Sequence, residues 1–262
     1  MIDLQLIGIG TGNPDHLTAQ AVRAMNGADL ILLPRKGSAK ADLVDLRRTI
    51  CAQVLQRPVP IIEFDMPTRG SDRSYLLEVR EWHRAIAGIW MEALARHLPA
   101  GGRLALLVWG DPSLYDSTLR IAEQLGADGL EMAVHVVPGI TSIQALTAAH
   151  AIPLNTLSGS VTITTGRALR TGGWPQGAET LVVMLDSGCA FEVLEPKDVE
   201  IWWGAYLGMP QEALEHGPLA QVATRISTRR ERLRERHGWI MDVYLMRRGK
   251  AAAGALPHTP DK

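Results

Sequence analysis

Residues 4–18 read LQLIGIGTGNPDHLT, and this stretch decides the fold. The short apolar run at residues 4–9 predicts a buried β-strand. The glycines that punctuate its end predict a sharp turn, in which the backbone can approach a ligand closely. The turn is not the GxGxxG motif of dinucleotide-binding proteins, because Asn13 takes the place of the third glycine and Pro14 delays the next helix. We therefore expect either a ligand-binding turn of another kind or a tight turn without a ligand.

Composition excludes several classes of protein. The 262 residues are 46% hydrophobic and 21% charged, which is typical of a globular protein with a large core. A net charge of −1 argues against a nucleic-acid-binding protein. Cys51 and Cys189 cannot form a disulfide framework, and no zinc-ligand motif occurs, so we expect no metal. The first residues have neither the pattern of a signal peptide nor that of a membrane span, so we expect a cytoplasmic protein with no membrane partner.

The chain changes character near its middle. In the first half, apolar runs alternate with amphipathic stretches, which predicts an α/β domain built on a mainly parallel sheet. In the second half, strand-like segments follow one another with little helix between several of them, which favours antiparallel pairing in a mixed sheet. These segments are residues 161–165, 181–185, 199–206, 219–226 and 239–246.

We place the domain boundary within residues 113–155, preferably at Leu114. The domains are then residues 1–114 and 115–249. Residues 250–262 are rich in Ala, Gly and Pro and are predicted to be a disordered tail.

Two further polar turns follow predicted strands in the first half. They are WGDPSLY at residues 109–115 and PGITS at residues 138–142. Parallel strands end in the crevice where α/β proteins bind ligands, so these turns are candidates for the same site as the glycine turn. Asp111 could accept hydrogen bonds from a ligand or could only cap the next helix. Thr141 and Ser142 could cap a helix and also present polar groups to a ligand.

The order and spacing of these runs resemble the motifs of the tetrapyrrole (corrin/porphyrin) methyltransferase family. The family runs GxGPGDPxxLT, GDPxxYG and PGxTS with a following IPL appear here as GIGTGNPDHLT, GDPSLYD and PGITS with IPL at residues 152–154. TLVVML at residues 180–185 resembles the TLVxYM strand of the family, and GPL at residues 217–219 resembles its GTL turn. The resemblance spans residues 4–226. It implies two α/β domains with S-adenosylmethionine bound in the cleft between them.

The resemblance also assigns cofactor contacts to motif positions. The chain departs from the family at four of them, with Thr11 in place of proline, Trp109 in place of glycine, Leu185 in place of methionine and Pro218 in place of threonine. Pro218 lacks both the hydroxyl and the backbone donor of threonine. The assigned residues are Thr11, Trp109, Gly110, Asp111, Tyr115, Thr141, Ser142, Met184, Leu185, Gly217, Pro218 and Leu219.

Methyl transfer from a sulfonium needs alignment and the exclusion of water more than acid–base groups, so we expect no catalytic triad. If an acyl group is also released, a general base is needed, and Asp111, Tyr115 and Asp116 are the candidates. A tetrapyrrole substrate carries carboxylates, which basic side chains bind. The candidates for that role each follow a predicted strand, although each could simply be solvated: they are Arg35, Lys36, Arg167 and Arg170.

Two segments resemble one branch of the family. They are LPRKG at residues 33–37 and ERHGWIMDVYLMRR at residues 235–248. The resemblance implies C-methylation of ring carbon 1 of precorrin-5 in the oxygen-dependent cobalamin pathway, with release of acetate. The alternatives are another precorrin methylation step, or an NADP-dependent oxidoreductase suggested by the glycine turn and by Arg35 and Lys36. Apolar strands in the second half would suit a homodimer.

Overall fold

The computed structural model describes residues 1–35, 41–68, 70 and 75–249. The chain divides into two units, one from Met1 to Thr141 and one from Ser142 onward. This division differs from the preferred boundary at Leu114, because a strand beyond that residue, β5 (Met132–Val137), pairs with β1 (Ile2–Gly8) in the first sheet. The predicted tail at residues 250–262 lies outside the described residues.

The first unit is a parallel sheet with helices on both faces. Its five strands lie in the order β3-β2-β4-β1-β5, and every neighbouring pair is parallel. The remaining strands are β2 (Leu30–Arg35), β3 (Ile61–Asp65) and β4 (Gly102–Val108). The helices are α1 (Ala19–Gly27), α2 (Ala41–Val54), α3 (Tyr75–His97) and α4 (Thr118–Ala127).

Alternating side chains of β1 enter two separate cores, as expected for a strand buried on both faces. Leu6 packs in one core with Trp90 of α3 and Ile121 of α4. Ile7 packs in the other core with Met25 of α1 and Ile50 of α2. The sheet is therefore fixed from both sides, and its strand ends are held in place.

The second unit contains a mixed sheet, as the sequence predicted. Its five strands lie in the order β6-β7-β10-β8-β9, in which β6 and β7 are parallel and the other pairs are antiparallel. The strands are β6 (Val161–Thr165), β7 (Thr180–Met184), β8 (Val199–Ala205), β9 (Ala213–Pro218) and β10 (Asp242–Arg248). The helices are α5 (Ser142–Ala149), α6 (Gly166–Gly172) and α7 (Leu219–His237).

The prediction of a strand at residues 219–226 was wrong, because this segment forms the start of α7. The buried residues of α7 are Leu219, Val222, Ile226 and Arg230, which recur every three or four positions along one face of the helix. The strand of this region is β9, which the sequence did not predict and which pairs with β8.

The described helices were also compared with the requirements of a transmembrane segment. None of them is both long enough and apolar enough to cross a membrane.

Candidate functional site

Three strand ends of the first sheet meet through glycines. Gly8 ends β1, while Gly110 follows β4 and Gly139 follows β5. A Cβ atom on Gly139 would lie 2.1 Å from the carbonyl oxygen of Gly110 and 2.8 Å from the Cα atom of Gly8. The amide of Gly110 donates a hydrogen bond of 2.7 Å to the carbonyl oxygen of Gly10. We call this arrangement of Gly8, Gly10, Gly110 and Gly139 the glycine cradle. It brings the three motif turns of the first unit together.

Asp111 links two of these turns. Its Oδ2 atom accepts a hydrogen bond of 2.9 Å from the amide of Gly139, and its Oδ1 atom accepts one of 2.8 Å from the amide of Ser113. Partial burial opposes ionisation, but the hydrogen bonds outweigh it and lower the pKa of Asp111 below its ordinary value. Because α4 begins only at Thr118, Asp111 braces the turns and does not cap that helix.

We expect Asp111→Ala to lower the free energy of unfolding by about 1–3 kcal/mol, because the amide of Gly139 loses its acceptor. Thermal denaturation measures this change. Ser113→Ala is the matched control, since it keeps the bond to Gly139, and it should cost less than about 1 kcal/mol. A wild-type melting temperature for Asp111→Ala would show that the bond contributes nothing.

The first turn is ordered by its own side chains. Thr11 is buried, and its Oγ1 atom lies 3.0 Å from Nδ1 of His16. Gly10 and Gly12 have φ angles of +71° and +117°, which a residue with a side chain rarely adopts. Asn13 caps the short 3₁₀ helix that follows, as its side chain accepts a hydrogen bond from the amide two residues on. The hydroxyl of Thr11 is therefore already held by the protein.

Tyr115 and Asp116 have different surroundings. Asp116 holds the first turn of α4, because its Oδ1 atom accepts a hydrogen bond of 2.7 Å from the amide of Thr118. Tyr115 is exposed and has a φ of +51°, a strained conformation of the kind that clusters at functional sites. Partial burial raises the pKa of Tyr115, so its phenol is protonated at neutral pH.

Trp109 contacts an arginine that was not among the predicted site residues. The guanidinium carbon of Arg47 lies 4.6 Å from the centroid of the Trp109 ring, and Arg47 is only 8% exposed. Burial lowers the pKa of Arg47 to about 10. A sequence signal did exist, because Arg47 occupies the same stripe of α2 as the buried residues Val44, Ile50 and Cys51.

Thr141 and Ser142 stand at the junction of the two units. Thr141 is the last residue of the first unit and lies beside the cradle, since a Cβ atom on Gly110 would be 3.6 Å from its Cα atom. Ser142 is the first residue of the second unit and begins α5.

The structure separates the predicted cofactor residues of the second unit into two groups. Met184 ends β7, and Leu185 follows it, whereas Gly217 and Pro218 end β9. Pro218 lies at the same height in the sheet as Thr180, the first residue of β7. One residue of β8 and one residue of β10 connect the two through successive register pairs. The two groups therefore lie at opposite ends of the sheet, about 16 Å apart along the strands. A single adenine ring cannot contact both.

Leu185 is exposed and is followed directly by a buried polar network around Asp186. It has a φ of +51° and is 65% exposed, while the side chain of the next residue, Asp186, is 2% exposed. Burial opposes ionisation of Asp186, but its hydrogen bonds outweigh burial and lower its pKa. The donors to the Asp186 carboxylate are the amides of Gly188 at 3.1 Å and Ala190 at 2.6 Å, the Tyr244 hydroxyl at 2.8 Å and Arg170 at 2.8 Å.

Two of the predicted carboxylate-binding residues already have carboxylate partners within the chain. Arg35 donates two hydrogen bonds to Asp65, at 3.0 and 2.9 Å, and Arg170 is paired with Asp186. Arg167 lies on α6 and is exposed. Lys36 lies outside the described residues. A role of these four residues toward a substrate stays a prediction.

In the described ranges of the chain, no group of three or more Asp, Glu, His or Cys side chains could hold a metal ion.

Comparison with known proteins identifies the class. Residues 3–223 match the sequence model of the tetrapyrrole (corrin/porphyrin) methylases. The chain belongs to this family of methyltransferases, which confirms the resemblance seen in the motifs. One relative, a precorrin-6A synthase (deacetylating) from Sinorhizobium sp, is 47% identical over 252 residues, which are 95% of this chain and 96% of the relative.

Two solved structures extend the comparison. A cobalamin-synthesis-related protein from Corynebacterium diphtheriae is 36% identical, with a TM-score of 0.79 over 95% of this chain and 99% of that one. A uroporphyrin-III C-methyltransferase from Thermus thermophilus, solved with S-adenosylhomocysteine, is 20% identical, with a TM-score of 0.56 over 93% of this chain and 91% of that one. The similarity to the Thermus thermophilus structure supports only the assignment of the fold.

Proposed function

We propose that this protein is an S-adenosylmethionine-dependent C-methyltransferase that methylates ring carbon 1 of precorrin-5 and releases acetate, forming precorrin-6A. The observation that carries the proposal is the 47% identity to a precorrin-6A synthase (deacetylating) across 95% of the chain. The similarity to the cobalamin-synthesis-related protein from Corynebacterium diphtheriae across nearly the whole chain supports a role in cobalamin synthesis.

The residues of the cradle fit a methyl donor of this kind. Gly139 has no room for a side chain, so the backbones of the three turns lie in contact and one ligand can reach several turns at once. Leu185, exposed and apolar, supplies a surface for an adenine ring. S-adenosylmethionine supplies an electrophilic methyl group on a sulfonium. The polar turn residues proposed to contact the donor are Thr11, Trp109, Asp111, Tyr115, Thr141 and Ser142.

Alignment is the main contribution that this chain makes to methyl transfer. The cradle and the Asp111 brace fix the turns before any ligand binds, so the reacting groups lose little further freedom. Such positioning can contribute about 7–11 kcal/mol to lowering a barrier. No proton needs to move until the acetyl group leaves.

Acetyl release needs one water molecule. The oxygen of the water bonds to the acetyl carbonyl carbon, and the bond from that carbon to the ring breaks. Acetate leaves, both protons of the water pass to solvent, and the ring keeps the electron pair, which neutralises the positive charge that the transferred methyl group brought to it. We assign Tyr115 as a hydrogen-bond donor to the acetyl oxygen, because its phenol is exposed and protonated. Asp111 and Asp116 are poorer candidates for the base, because both carboxylates already accept hydrogen bonds from the backbone.

The test is incubation of the protein with precorrin-5 and methyl-labelled S-adenosylmethionine. We expect one labelled methyl group on ring carbon 1 and one equivalent of acetate, and neither product when S-adenosylhomocysteine replaces the donor. Methylation without acetate would assign the protein to another precorrin methylation step. Micromolar binding of NADP without binding of S-adenosylhomocysteine would favour the oxidoreductase alternative.

We also propose that the protein is a cytoplasmic homodimer. Val134 and Val136 are exposed on β5, an edge strand of the first sheet, and Ile163 is exposed on β6, an edge strand of the second. Light scattering should give twice the mass of the chain, and the mass of one chain would contradict the dimer.

A further inference from the structure

Arg47 is a buried cation that forms no ion pair with the residues that the structure describes. Its Nε atom donates to the carbonyl oxygen of Leu107 at 3.3 Å, and its Nη1 atom donates to that of Leu43 at 3.4 Å. Both bonds are longer than the usual range for an N–H donor. Arg47 makes no ion pair with residues 1–35, 41–68, 70 or 75–249, and its Nη2 atom donates to none of them. The Asp116 carboxylate attracts this charge from nearby, but the cost of burial outweighs the attraction, so the charge is only partly compensated within the described chain.

The side chain that covers Arg47 carries a second unused donor. The indole Nε1 atom of Trp109 is buried and has no hydrogen-bond acceptor among the residues that the structure describes. A buried donor without an acceptor is costly, and native proteins seldom keep one without a reason. The Trp109 ring also lies against the guanidinium, which holds the plane of the Arg47 fork in place.

Two other buried arginines, Arg230 and Arg247, can be compared with Arg47. Arg230 is 5% exposed, and it donates to both oxygens of Asp242, at 2.8 and 3.3 Å. Arg247 is also buried and stacked on a tryptophan, but it lies on β10 and donates to the carbonyl of Pro153. Arg47, in contrast, adjoins the glycine cradle, since Trp109 directly precedes Gly110.

We propose that Arg47 and Trp109 form a carboxylate-binding subsite beside the glycine cradle. The planar fork of arginine matches the two oxygens of a carboxylate, and the indole N–H can donate to one of those oxygens. The proposal rests on the proposed function, in which two molecules carry such a group. The carboxylate belongs either to the amino-acid part of the methyl donor or to an acid side chain of the tetrapyrrole.

Two variants test the subsite. Arg47→Met keeps the aliphatic stem and removes the fork, while Trp109→Phe keeps an aromatic ring and removes the donor. The matched control is Arg48→Met, because Arg48 is the next residue of α2 but is exposed and paired with Asp45 and Glu63. Calorimetry with S-adenosylhomocysteine and with 5′-methylthioadenosine, which lacks the carboxylate, tests whether the subsite binds the carboxylate of the methyl donor. The KM for precorrin-5 tests whether the subsite binds a carboxylate of the tetrapyrrole.

We expect Arg47→Met to weaken one of these interactions about 10- to 100-fold, and Trp109→Phe to weaken the same one about 2- to 10-fold. Weaker binding of S-adenosylhomocysteine with unchanged binding of 5′-methylthioadenosine assigns the carboxylate to the donor. Unchanged binding of S-adenosylhomocysteine with a raised KM assigns it to the tetrapyrrole. The Arg48→Met values should equal those of the wild type.

The melting temperatures of the variants distinguish a ligand-binding role of Arg47 from a purely structural one. If Arg47 serves a ligand, Arg47→Met should melt at or above the wild-type temperature, because an uncompensated buried charge has been removed. A lower melting temperature with unchanged ligand affinity and KM in both variants would overturn the subsite. If Arg47→Met does not fold, Trp109→Phe alone decides. A wild-type protein that neither binds S-adenosylhomocysteine nor methylates precorrin-5 would contradict the proposed function itself, which is a different result.

Discussion

Gly139→Ala should lower the free energy of unfolding by about 3 kcal/mol and abolish binding of S-adenosylhomocysteine. The new methyl group would lie 2.1 Å from the Gly110 carbonyl oxygen and 2.8 Å from the Gly8 Cα atom. Both neighbours are backbone atoms of packed strands, so no side chain can rotate away to make room. The ends of β1, β4 and β5 would have to separate, and the cradle would lose its shape.

The matched control is Gly88→Ala, in the middle of α3, where a Cβ atom would have no neighbour within 4 Å. This substitution should raise the free energy of unfolding by about 0.5–1 kcal/mol, because alanine restricts the unfolded chain and favours the helix. Urea denaturation of both variants measures the difference. A Gly139→Ala protein as stable as the wild type would mean that the three strand ends are not packed as described.

Asp186→Ala should cost about 3–5 kcal/mol of stability, because it removes the carboxylate partner of the partly buried guanidinium of Arg170 and the acceptor of the buried hydroxyl of Tyr244. The matched control is Asp65→Ala. Asp65 also pairs with an arginine, Arg35, but both side chains of that pair are exposed, so the loss should not exceed about 1 kcal/mol. Equal losses in the two variants, measured by thermal denaturation, would show that burial does not strengthen the Asp186 network.

The same network predicts a pH dependence with a definite sign. The pKa of Asp186 is lower in the folded protein than its ordinary value of 3.8, so its stabilisation is complete above that value. Stability from this group is lost as the pH falls below about 4 towards the lowered pKa. Asp186→Ala should therefore lose less stability than the wild type between pH 5 and pH 2, measured by urea denaturation. Parallel curves would contradict the lowered pKa.

The motif turns of the first unit could be predicted because each combines an apolar strand with glycine or proline at its end. The contact between Gly8 and Gly139 could not, because it depends on β1 lying between β4 and β5. Strand order is a property of the whole sheet, and no short stretch of the sequence indicates which strands are neighbours. For the same reason, the sequence did not show that Pro218 and Leu185 lie at opposite ends of the second sheet.

The two arginines buried near functional turns illustrate a second limit. Arg230 belongs to a segment with many basic residues, where a solvated position is the usual expectation, and its partner Asp242 lies on another element. Arg47 shares the apolar stripe of α2, but a single charged residue there is more easily taken for an irregularity than for a site. Burial of a charge depends on what covers it, and here the cover is Trp109.

The position of β1 between β4 and β5 also has a consequence for biosynthesis. β1 leaves the ribosome before its partners, since Ile2 pairs with Gly102 and Met132, about 100 and 130 residues later. At about 5–20 residues per second, this apolar strand remains unpaired for about 5–26 s. In the second unit, Val161 pairs with Thr180 after a delay of only about 1–4 s. During synthesis, β1 is therefore exposed to aggregation for longer than β6.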